Sequence, residues 1–216
     1  VHDMKPSDPI LDEVHRNILK AGHRVVHESV PSARAVEKYA WLLIDAGRPS
    51  MPFLNGAAPM ESADVSTIED VENWFKQRNS PALFRLRSGV DAPLIHALER
   101  SGYAVTRTEP ILHMAAPVPP TIETPLCIVE VQTTDQRNDI MVKVFPDGWT
   151  DDFAAGMSRA TVTMANTAEL WGLHDGRLVA GAIVVVTSSM AGIYAVSVEE
   201  EFRRRGYGTA ITWAAI

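Results

Sequence analysis

The sequence predicts a protein of the α/β class, with helices packed against an α+β mixed sheet. Apolar runs of strand length alternate with segments of helical periodicity along the chain. A proline-rich segment, residues 116–125, separates two halves of the chain. The last residues read as a strand, a glycine-containing turn and a helix, which is the layout of an anion-binding site. These observations predict two domains, one on each side of the proline-rich segment.

The composition excludes several classes of protein. Of the 216 residues, 46% are apolar, which suits a globular core, and no run reaches the ~18 apolar residues of a membrane span. The formal net charge of −7 argues against general nucleic-acid binding. Cys127 is the one cysteine, which excludes an intrachain disulfide framework, and its apolar surroundings predict a buried, inert thiol. We therefore expect a cytoplasmic protein with no membrane or nucleic-acid partner.

The first half, residues 1–115, begins with a predicted helix and continues with alternating strands and helices. Apolar side chains recur at three- and four-residue spacing between Asp8 and His27, which predicts the helix. His23 and His27 lie four residues apart on it, but no carboxylate at a fitting position accompanies them, so we expect no metal site. The remaining elements are predicted as strand Lys38–Asp45, strand Met51–Leu54, a helix after the capping box Ser66-x-x-Glu69, strand Leu83–Leu86, a helix opened by Asp91-Ala92-Pro93, and strand Tyr103–Met114.

The second half, residues 126–216, is predicted to contain a strand, two helices and three further strands before the terminal turn. A tight Asp175-Gly176 turn between two apolar runs indicates a hairpin. The elements are strand Leu126–Val131, two helices between Asp135 and Met164, strand Glu169–His174, strand Leu178–Thr187 and strand Ile193–Val198. Residues 116–125 contain four prolines and no periodicity, so they are predicted to form a stiff linker.

Three phosphate-binding patterns compete for the turn Arg203–Gly208, whose sequence is RRRGYG. A P-loop needs a lysine, which this turn lacks, and a dinucleotide-binding fingerprint needs a small residue where the chain has Ile211. The third pattern, R-x-x-G-x-G after a strand, is matched by Arg203, Gly206 and Gly208. Unpaired N–H groups and the helix dipole favour an anion at the start of the following helix. The alternative is an ordinary strand-to-helix turn with a basic surface patch.

With Val198 five residues before Arg203, this segment resembles motif A of the GNAT superfamily of acetyl-CoA-dependent N-acetyltransferases. The hairpin AELWGLHDGRLVAGAIVV, residues 168–185, resembles part of the same domain. The resemblance covers residues 126–216, and the first half looks like the degenerate amino-terminal half of tandem GNAT-type proteins. It implies the acyl-CoA N-acyltransferase fold in two tandem halves. The second half is expected to be incomplete, because the family has further strands and a helix beyond the position of Ile216.

The resemblance implies acetyl-CoA as the cofactor, without a metal, and transfer of its acetyl group to an amine. In the family, the strand before the turn pairs its free backbone groups with the pantetheine amides, and the turn binds the pyrophosphate. The residues implied for cofactor binding are Val196, Ser197, Val198, Arg203, Arg204, Arg205, Gly206, Tyr207, Gly208 and Thr209. Glu199, Glu200 and Glu201 would repel a polyphosphate at close range, so we expect these side chains to be solvated and to point away from it.

The groups that would carry the reaction are less sharply indicated. The resemblance implies that a backbone N–H near Val196 donates to the developing oxyanion. Tyr194, expected on the same strand face as Val196, is the candidate catalytic residue in the acceptor pocket, and Glu169 and His174 are candidate bases. Further candidates for shaping an acceptor pocket between the halves are Tyr39, Trp41, Phe53 and Asn55.

On the sequence alone, two functions other than acetyl transfer to an amine remain open. We expect the acceptor to be an amine of a small molecule or peptide, with self-association as a homodimer left open. The alternative to an N-acetyltransferase is a non-catalytic acyl-CoA-binding or regulatory module of the same fold. A third interpretation is an oligomerisation domain with an incidental basic turn.

Overall fold

A computed structural model describes residues 9–30, 32–47, 55–60, 63–109, 118, 121, 123–131, 164–187 and 190–216. The chain divides into two compact units, the first formed by Val1–Asp12 and Val30–His113 and the second by Glu13–Ser29 and Met114–Ile216. The strand predicted at Met51–Leu54, most of the predicted linker and most of the two helices predicted between Asp135 and Met164 lie outside the described residues. The division into domains 1–115 and 126–216 with a linker at 116–125 stays a prediction.

Helix α1, Pro9–Ser29, confirms the helix predicted from Asp8 to His27. Its segment from Glu13 onward belongs to the second unit. The buried apolar side chains of this segment are Val14, Leu19, Ala21 and Val26. Three polar side chains, His15, Asn17 and Ser29, are buried with them, at 9%, 3% and 1% exposure. Among the described residues, no group of histidine, cysteine and carboxylate side chains could hold a metal ion.

The sheet of the first unit consists of β1 (Arg34–Lys38), β2 (Trp41–Asp45) and β3 (Gly56–Pro59), all antiparallel. The prediction of one strand over Lys38–Asp45 is therefore wrong at its start. Tyr39 and Ala40 both have a left-handed backbone, with φ of 55° and 62°, and they form a two-residue turn between β1 and β2. This turn geometry normally selects glycine or asparagine. Because neither is present, the sequence contained no signal for the turn.

Helices α2 (Ile68–Lys76) and α3 (Ala92–Arg100) form where helices were predicted. The predicted capping box Ser66-x-x-Glu69 is wrong: a 3₁₀ turn, Val65–Thr67, precedes α2, and Ser66 N donates to Asp64 Oδ1 at 2.8 Å. The apolar faces of the two helices form one core with β2 and β3. The indole N–H of Trp41, which is fully buried, donates to Thr67 Oγ1 at 2.8 Å, so its polar atom is satisfied. The buried members of this core are Trp41, Leu43, Ala57, Ile68, Val71, Trp74, Phe75, Leu94, Ala97 and Leu98.

Two strands predicted in the first half are not formed in the described residues. Leu83–Leu86 is reduced to an isolated parallel bridge between Phe84 and Ala57, in which Ala57 N donates to Leu83 O at 2.8 Å and Ala57 O accepts from Arg85 N at 2.9 Å. The described part of the strand predicted at Tyr103–Met114 is irregular up to Glu109. Its residues beyond Tyr103 are exposed, with Val105 at 69%, so no face of this segment is fixed by burial.

The sheet of the second unit is antiparallel in the order β4 (Cys127–Glu130), β5 (Thr167–His174), β6 (Arg177–Thr187) and β7 (Met190–Val198). The predicted Asp175-Gly176 hairpin is confirmed, with φ of 50° and 75° at its two turn residues. The prediction that Cys127 is buried is wrong: the thiol is exposed. Strand β4 lies at an edge of the described sheet and buries its neighbour Leu126 instead.

A short 3₁₀ turn, Glu200–Phe202, and helix α4, Tyr207–Ala214, follow β7. Phe202, Tyr207 and Ile211 pack from this segment onto Val179 and its neighbours on β6. This core fixes the start of α4 against the sheet, and it thereby positions the turn that precedes the helix. No helix in the described ranges is long and apolar enough to cross a bilayer.

Tyr103 provides a pH-dependent test of the first unit. Burial, together with a hydrogen bond to Glu72 and the charge of that carboxylate, raises the pKa of Tyr103 to about 12 from 10.0. Since the folded state keeps this proton more tightly than the unfolded state, its contribution to stability is full below pH 10.0 and is lost as the pH rises toward about 12. We expect Tyr103→Phe to flatten the alkaline fall in unfolding free energy, measured by denaturant unfolding at a series of pH values. An unchanged alkaline slope in the variant would contradict the assignment.

Candidate functional site

Strand β7 contains a bulge at the position where it faces Ala182 of β6. Tyr194 pairs with Ile183 and Ser197 pairs with Gly181, so Ala195 and Val196 together face the single residue between them. Ala195 has φ of 53°, a left-handed conformation that costs a non-glycine residue about 1–3 kcal/mol. A bulge leaves its extra residue unpaired and interrupts the hydrogen-bond ladder. The ladder between β6 and β7 is therefore interrupted at Ala195 and Val196.

The bulge corrects one detail of the sequence prediction. Tyr194 and Val196 were expected on the same strand face because they are two residues apart. An extra residue between two paired positions shifts the alternation of side chains by one. Tyr194 is half-buried, whereas Val196 is 43% exposed. Among the described strands, β7 pairs only with β6, so the other edge of Val196, Ser197 and Val198 has no strand partner there.

The turn between β7 and α4 presents a row of unpaired backbone donors. Arg204 and Gly206 have left-handed backbones, with φ of 61° and 80°. Within the described part of the chain, no acceptor is hydrogen-bonded to the backbone N–H groups from Arg204 to Thr209. Ala210 donates the first helical bond of α4, to Gly206 O at 2.9 Å. The turn is exposed at Arg203–Gly206 and at Thr209, so an anion can reach these donors.

The three arginines of the turn have different surroundings. Arg203 Nε donates to Val198 O at 3.0 Å, which ties the turn to the end of β7. Arg205 Nη2 donates to Glu201 O at 3.0 Å, and its guanidinium lies over the ring of Phe202 at 5.0 Å. The exposed guanidinium of Arg204 has no partner among the described residues. Two of the arginines therefore order the turn, and Arg204 is the one available to a bound phosphate.

The acidic residues beside the turn are held by Arg177 of the neighbouring hairpin. Arg177 Nη2 lies 2.5 Å from Glu199 Oε2 and 2.5 Å from Glu201 Oε1. The hydrogen bond to Glu201 and the charges of both carboxylates raise the pKa of Arg177. The expectation of three solvated carboxylates is thus wrong for Glu199, whose side chain is only 15% exposed. Pairing with Arg177 removes much of the repulsion that these two carboxylates would exert on a phosphate.

Tyr207 anchors the turn through its side chain. It is 2% exposed, and its Oη lies 2.8 Å from Nδ1 of His174 at the end of β5. The ring of His174 also packs edge-on against Phe202 at 5.5 Å. Any contact of Tyr207 with a ligand must therefore come from its backbone N–H. His174 is occupied by this contact. It also lies far from Tyr194 along the sheet: His174 pairs with Arg177 and Tyr194 pairs with Ile183, and these two partners are six residues, about 20 Å, apart on β6.

Tyr194 is held by a residue that the sequence analysis did not identify. Its Oη donates to Oδ1 of Asn17 on α1 at 2.5 Å, and burial raises the pKa of Tyr194 to about 12. The phenol is therefore neutral at physiological pH. Asn17 follows Val14 by three residues and so lies on the apolar stripe of its helix. A polar residue on an apolar stripe was the sequence signal that could have identified Asn17 as a buried hydrogen-bonding residue.

Glu169 is the candidate base that the sheet brings nearest to Tyr194. Both residues pair with Ile183, Glu169 from β5 and Tyr194 from β7, so the three lie in one row across the sheet. Directly opposed residues project to the same face, and two strand spacings separate the outer backbones by about 10 Å. Glu169 is buried, and its Oε1 accepts from the indole N–H of Trp171 at 2.9 Å.

The candidates for an acceptor pocket in the first half are not all accessible. Trp41 and Asn55 have no exposed surface, so the prediction that they line a pocket is wrong. Asn55 Oδ1 accepts from Ala46 N at 2.9 Å, which gives this residue a structural role. Tyr39 occupies the β1–β2 turn and packs against the core of the first unit. Phe53 lies outside the described residues.

Comparison with known proteins identifies the fold. No protein-family model and no curated protein sequence matches the chain significantly. Among solved structures, a GCN5-related N-acetyltransferase from Kribbella flavida superposes with a TM-score of 0.65 at 15% identity, covering 91% of this chain and 78% of that one. A functionally unknown conserved protein from Staphylococcus epidermidis ATCC 12228 gives 0.50 at 12% identity, over 85% and 79% of the two chains. The ribosomal-protein-S18-alanine N-acetyltransferase from Escherichia coli gives only 0.34 at 20% identity, over 41% and 56%, and carries no argument.

The likeness to the Kribbella structure extends over nearly the whole chain, although the tandem arrangement of two GNAT-like halves stays a prediction. The fold predicted from the sequence is thereby confirmed: the chain has the acyl-CoA N-acyltransferase fold of the GCN5-related N-acetyltransferases.

Proposed function

We propose that the chain binds acetyl-CoA along β7 and the following turn and transfers the acetyl group to an amine. One observation carries the proposal. A bulged strand with an unpaired edge runs directly into a turn whose N–H groups, from Arg204 to Thr209, have no acceptor in the described residues. The first feature suits an extended chain with amide groups, and the second suits a phosphate. Acetyl-CoA contains both groups one after the other, the amide-containing pantetheine arm and then the pyrophosphate.

The turn fits a pyrophosphate in its shape and in its charge. A Cβ added at Gly206 would meet no atom within 4 Å, so this side of the turn is open. The donors at the start of α4 lie at the positive end of the helix dipole. Arg204 adds a full charge, while Arg177 pairs with the two nearby carboxylates that would otherwise oppose binding. Backbone donors thus position the phosphates, and Arg204 adds attraction.

The edge of β7 at Val196, Ser197 and Val198 would hold the pantetheine arm. When bound, acetyl-CoA supplies an acetyl group activated as a thioester. Because the ladder is interrupted at the bulge, a backbone N–H there, of Ala195 or Val196, would donate to the thioester oxygen as negative charge develops on it. Removal of one such donor typically lowers kcat by about 10²–10³-fold.

Tyr194 lies at the acceptor end of this strand, and its Oη, whose one hydrogen is donated to Asn17 Oδ1, would accept a hydrogen bond from the acceptor amine. With its pKa raised to about 12, it cannot accept a proton from an amine near neutral pH. Glu169, in the same row of the sheet, is the candidate to accept that proton through water. His174 is engaged with Tyr207 at the far end of β6 and is not proposed as the base.

The acceptor is proposed to be an amine of a small molecule or peptide, and the site of action the cytoplasm. A homodimer, and the lack of a membrane or nucleic-acid partner, stay predictions from the sequence. The competing proposal is a non-catalytic acyl-CoA-binding module. It shares the binding surface, and it differs in requiring neither the bulge donors nor a proton acceptor.

Gly206→Trp tests the binding surface. The indole would lie over the N–H groups of the turn, so we expect acetyl-CoA affinity to fall at least tenfold, measured by isothermal titration calorimetry. The matched control is Gly89→Trp in the first unit, because Gly89 has φ of 81° against 80° for Gly206 and is equally open. Both changes place a side chain in a left-handed conformation, which destabilises by about 1–2 kcal/mol. Equal affinities for the two variants would contradict the proposed site.

Release of CoA thiol tests transfer as opposed to binding alone. With acetyl-CoA and a panel of small-molecule and peptide amines, the acetyltransferase proposal predicts thiol release that depends on the amine. The binding-module proposal predicts thermal stabilisation by acetyl-CoA without thiol release. The absence of both responses from the wild-type protein would refute the two proposals together.

A further inference from the structure

We propose that Asn17 is a positioning residue that holds the β7 bulge in place through Tyr194. The inference rests on the proposed function for its catalytic consequence, because the bulge is the part of β7 that would face the acetyl group. The contacts of Asn17 that hold the bulge all lie within the second unit. Nothing in the sequence pattern of β7 itself requires a left-handed residue at Ala195.

Both polar atoms of the Asn17 side-chain amide, the Nδ2 donor and the Oδ1 acceptor, are hydrogen-bonded. Nδ2 donates to Thr187 Oγ1 at the end of β6 and to Met190 O at the start of β7, at 3.2 Å for the carbonyl. Oδ1 accepts from Tyr194 Oη at 2.5 Å. At 3% exposure, Asn17 makes these bonds away from water, where loss of one partner leaves the other unsatisfied. One amide therefore links α1 to both strands of the β6–β7 hairpin and to Tyr194.

Gly192 makes room for this arrangement. A Cβ at Gly192 would meet Tyr194 Oη and Cε2 and, at 2.5 Å, Asn17 Oδ1. The glycine is needed here for space, since its φ is not in the left-handed region. The ring of Tyr194 thus lies back along its own strand, with its hydroxyl over Gly192. Asn17, Gly192 and Tyr194 form one packed unit, which we call the Asn17 anchor.

The Asn17 anchor fixes the side of the bulge toward the hairpin end. On the other side, Ser197 pairs with Gly181 and Val198 pairs with Ala180, and Arg203 bonds to Val198 O. Between two fixed ends the strand has one residue too many for regular pairing, and Ala195 takes the left-handed conformation. If the Asn17 anchor is released, β7 can slip by one residue and regain a regular ladder. A slip of one residue turns side chains and backbone groups to opposite faces.

The test uses the full chain with Asn17→Ala and Gly192→Ala. In both variants we expect backbone chemical shifts and amide exchange to show that Ala195 leaves the left-handed region and that the amides of Ala195 and Val196 become protected. Tyr194→Phe removes one hydroxyl and should give the same change to a smaller degree. It also keeps the test available if the other variants do not fold. A left-handed Ala195 in every folded variant would overturn the inference.

The matched control is Asp45→Ala. Asp45 is buried at 6% exposure and accepts hydrogen bonds from Gly47 N at 2.9 Å and Ser80 Oγ at 2.8 Å, all within the first unit. Asp45→Ala removes a comparable number of buried polar contacts, and we expect this variant to leave the chemical shifts of Ala195 and the rate of thiol release unchanged. Asn17→Ala should lower kcat about 10²-fold, the effect of one lost oxyanion donor. Its acetyl-CoA Kd should change much less than its kcat, because the turn is held by Arg203 and Tyr207.

The two proposals can fail separately. If the wild-type protein releases no thiol with any amine, the proposed transfer fails, while the chemical shifts of Ala195 still decide whether the Asn17 anchor holds the bulge. If the wild-type protein is active and Asn17→Ala lowers kcat no more than Asp45→Ala does, the positioning role is wrong. Equal losses of kcat and of acetyl-CoA affinity in Asn17→Ala would likewise indicate a general structural role.

Discussion

The left-handed backbone at Ala195 is the constraint on which the arrangement of the second unit depends. It introduces one extra residue into β7 while both ends of the strand keep regular pairs with β6. The ladder is consequently interrupted at Ala195 and Val196, resumes at Ser197 and Val198, and is followed by the turn before α4. Local strain of this kind persists only where surrounding contacts determine it, and Asn17 at one end and Gly181 at the other supply those contacts.

The turn is built so that few of its side chains are free. Arg203 and Arg205 donate to carbonyl oxygens, Tyr207 reaches His174, and Phe202 fills the space beneath. Arg177, from the tip of the β5–β6 hairpin, pairs with the adjacent carboxylates. The conformation that exposes the backbone donors therefore exists before any ligand binds. Preorganised donors need no rearrangement at binding, which is the main source of their advantage.

Local patterns predicted much of this from sequence, and long-range contacts account for the rest. The Asp175-Gly176 turn was predicted because left-handed turns select such residues, and Gly206 was predicted from its place in the R-x-x-G-x-G pattern. Tyr39 and Ala40 adopt a similar turn without those residues, so tertiary packing of the β1–β2 hairpin decides it. Likewise the conformation of Ala195 has no local signal, since the contact that holds its neighbour Tyr194 comes from Asn17, far away in sequence. Burial of Trp41 and Asn55 could not be inferred because aromatic and polar residues occur equally in pockets and cores.

The use of main-chain donors in the turn has a consequence for how such a protein can change over time. A backbone N–H is the same group in every residue except proline, so positions 204 and 209 can exchange side chains without altering the donors themselves. Selection would act on the path of the chain, through Gly206 and the buried face of α4, rather than on most individual residues. Sequence identity can then fall very low while the shape of the turn persists. Relationships among such proteins are better traced by backbone geometry than by residue matching.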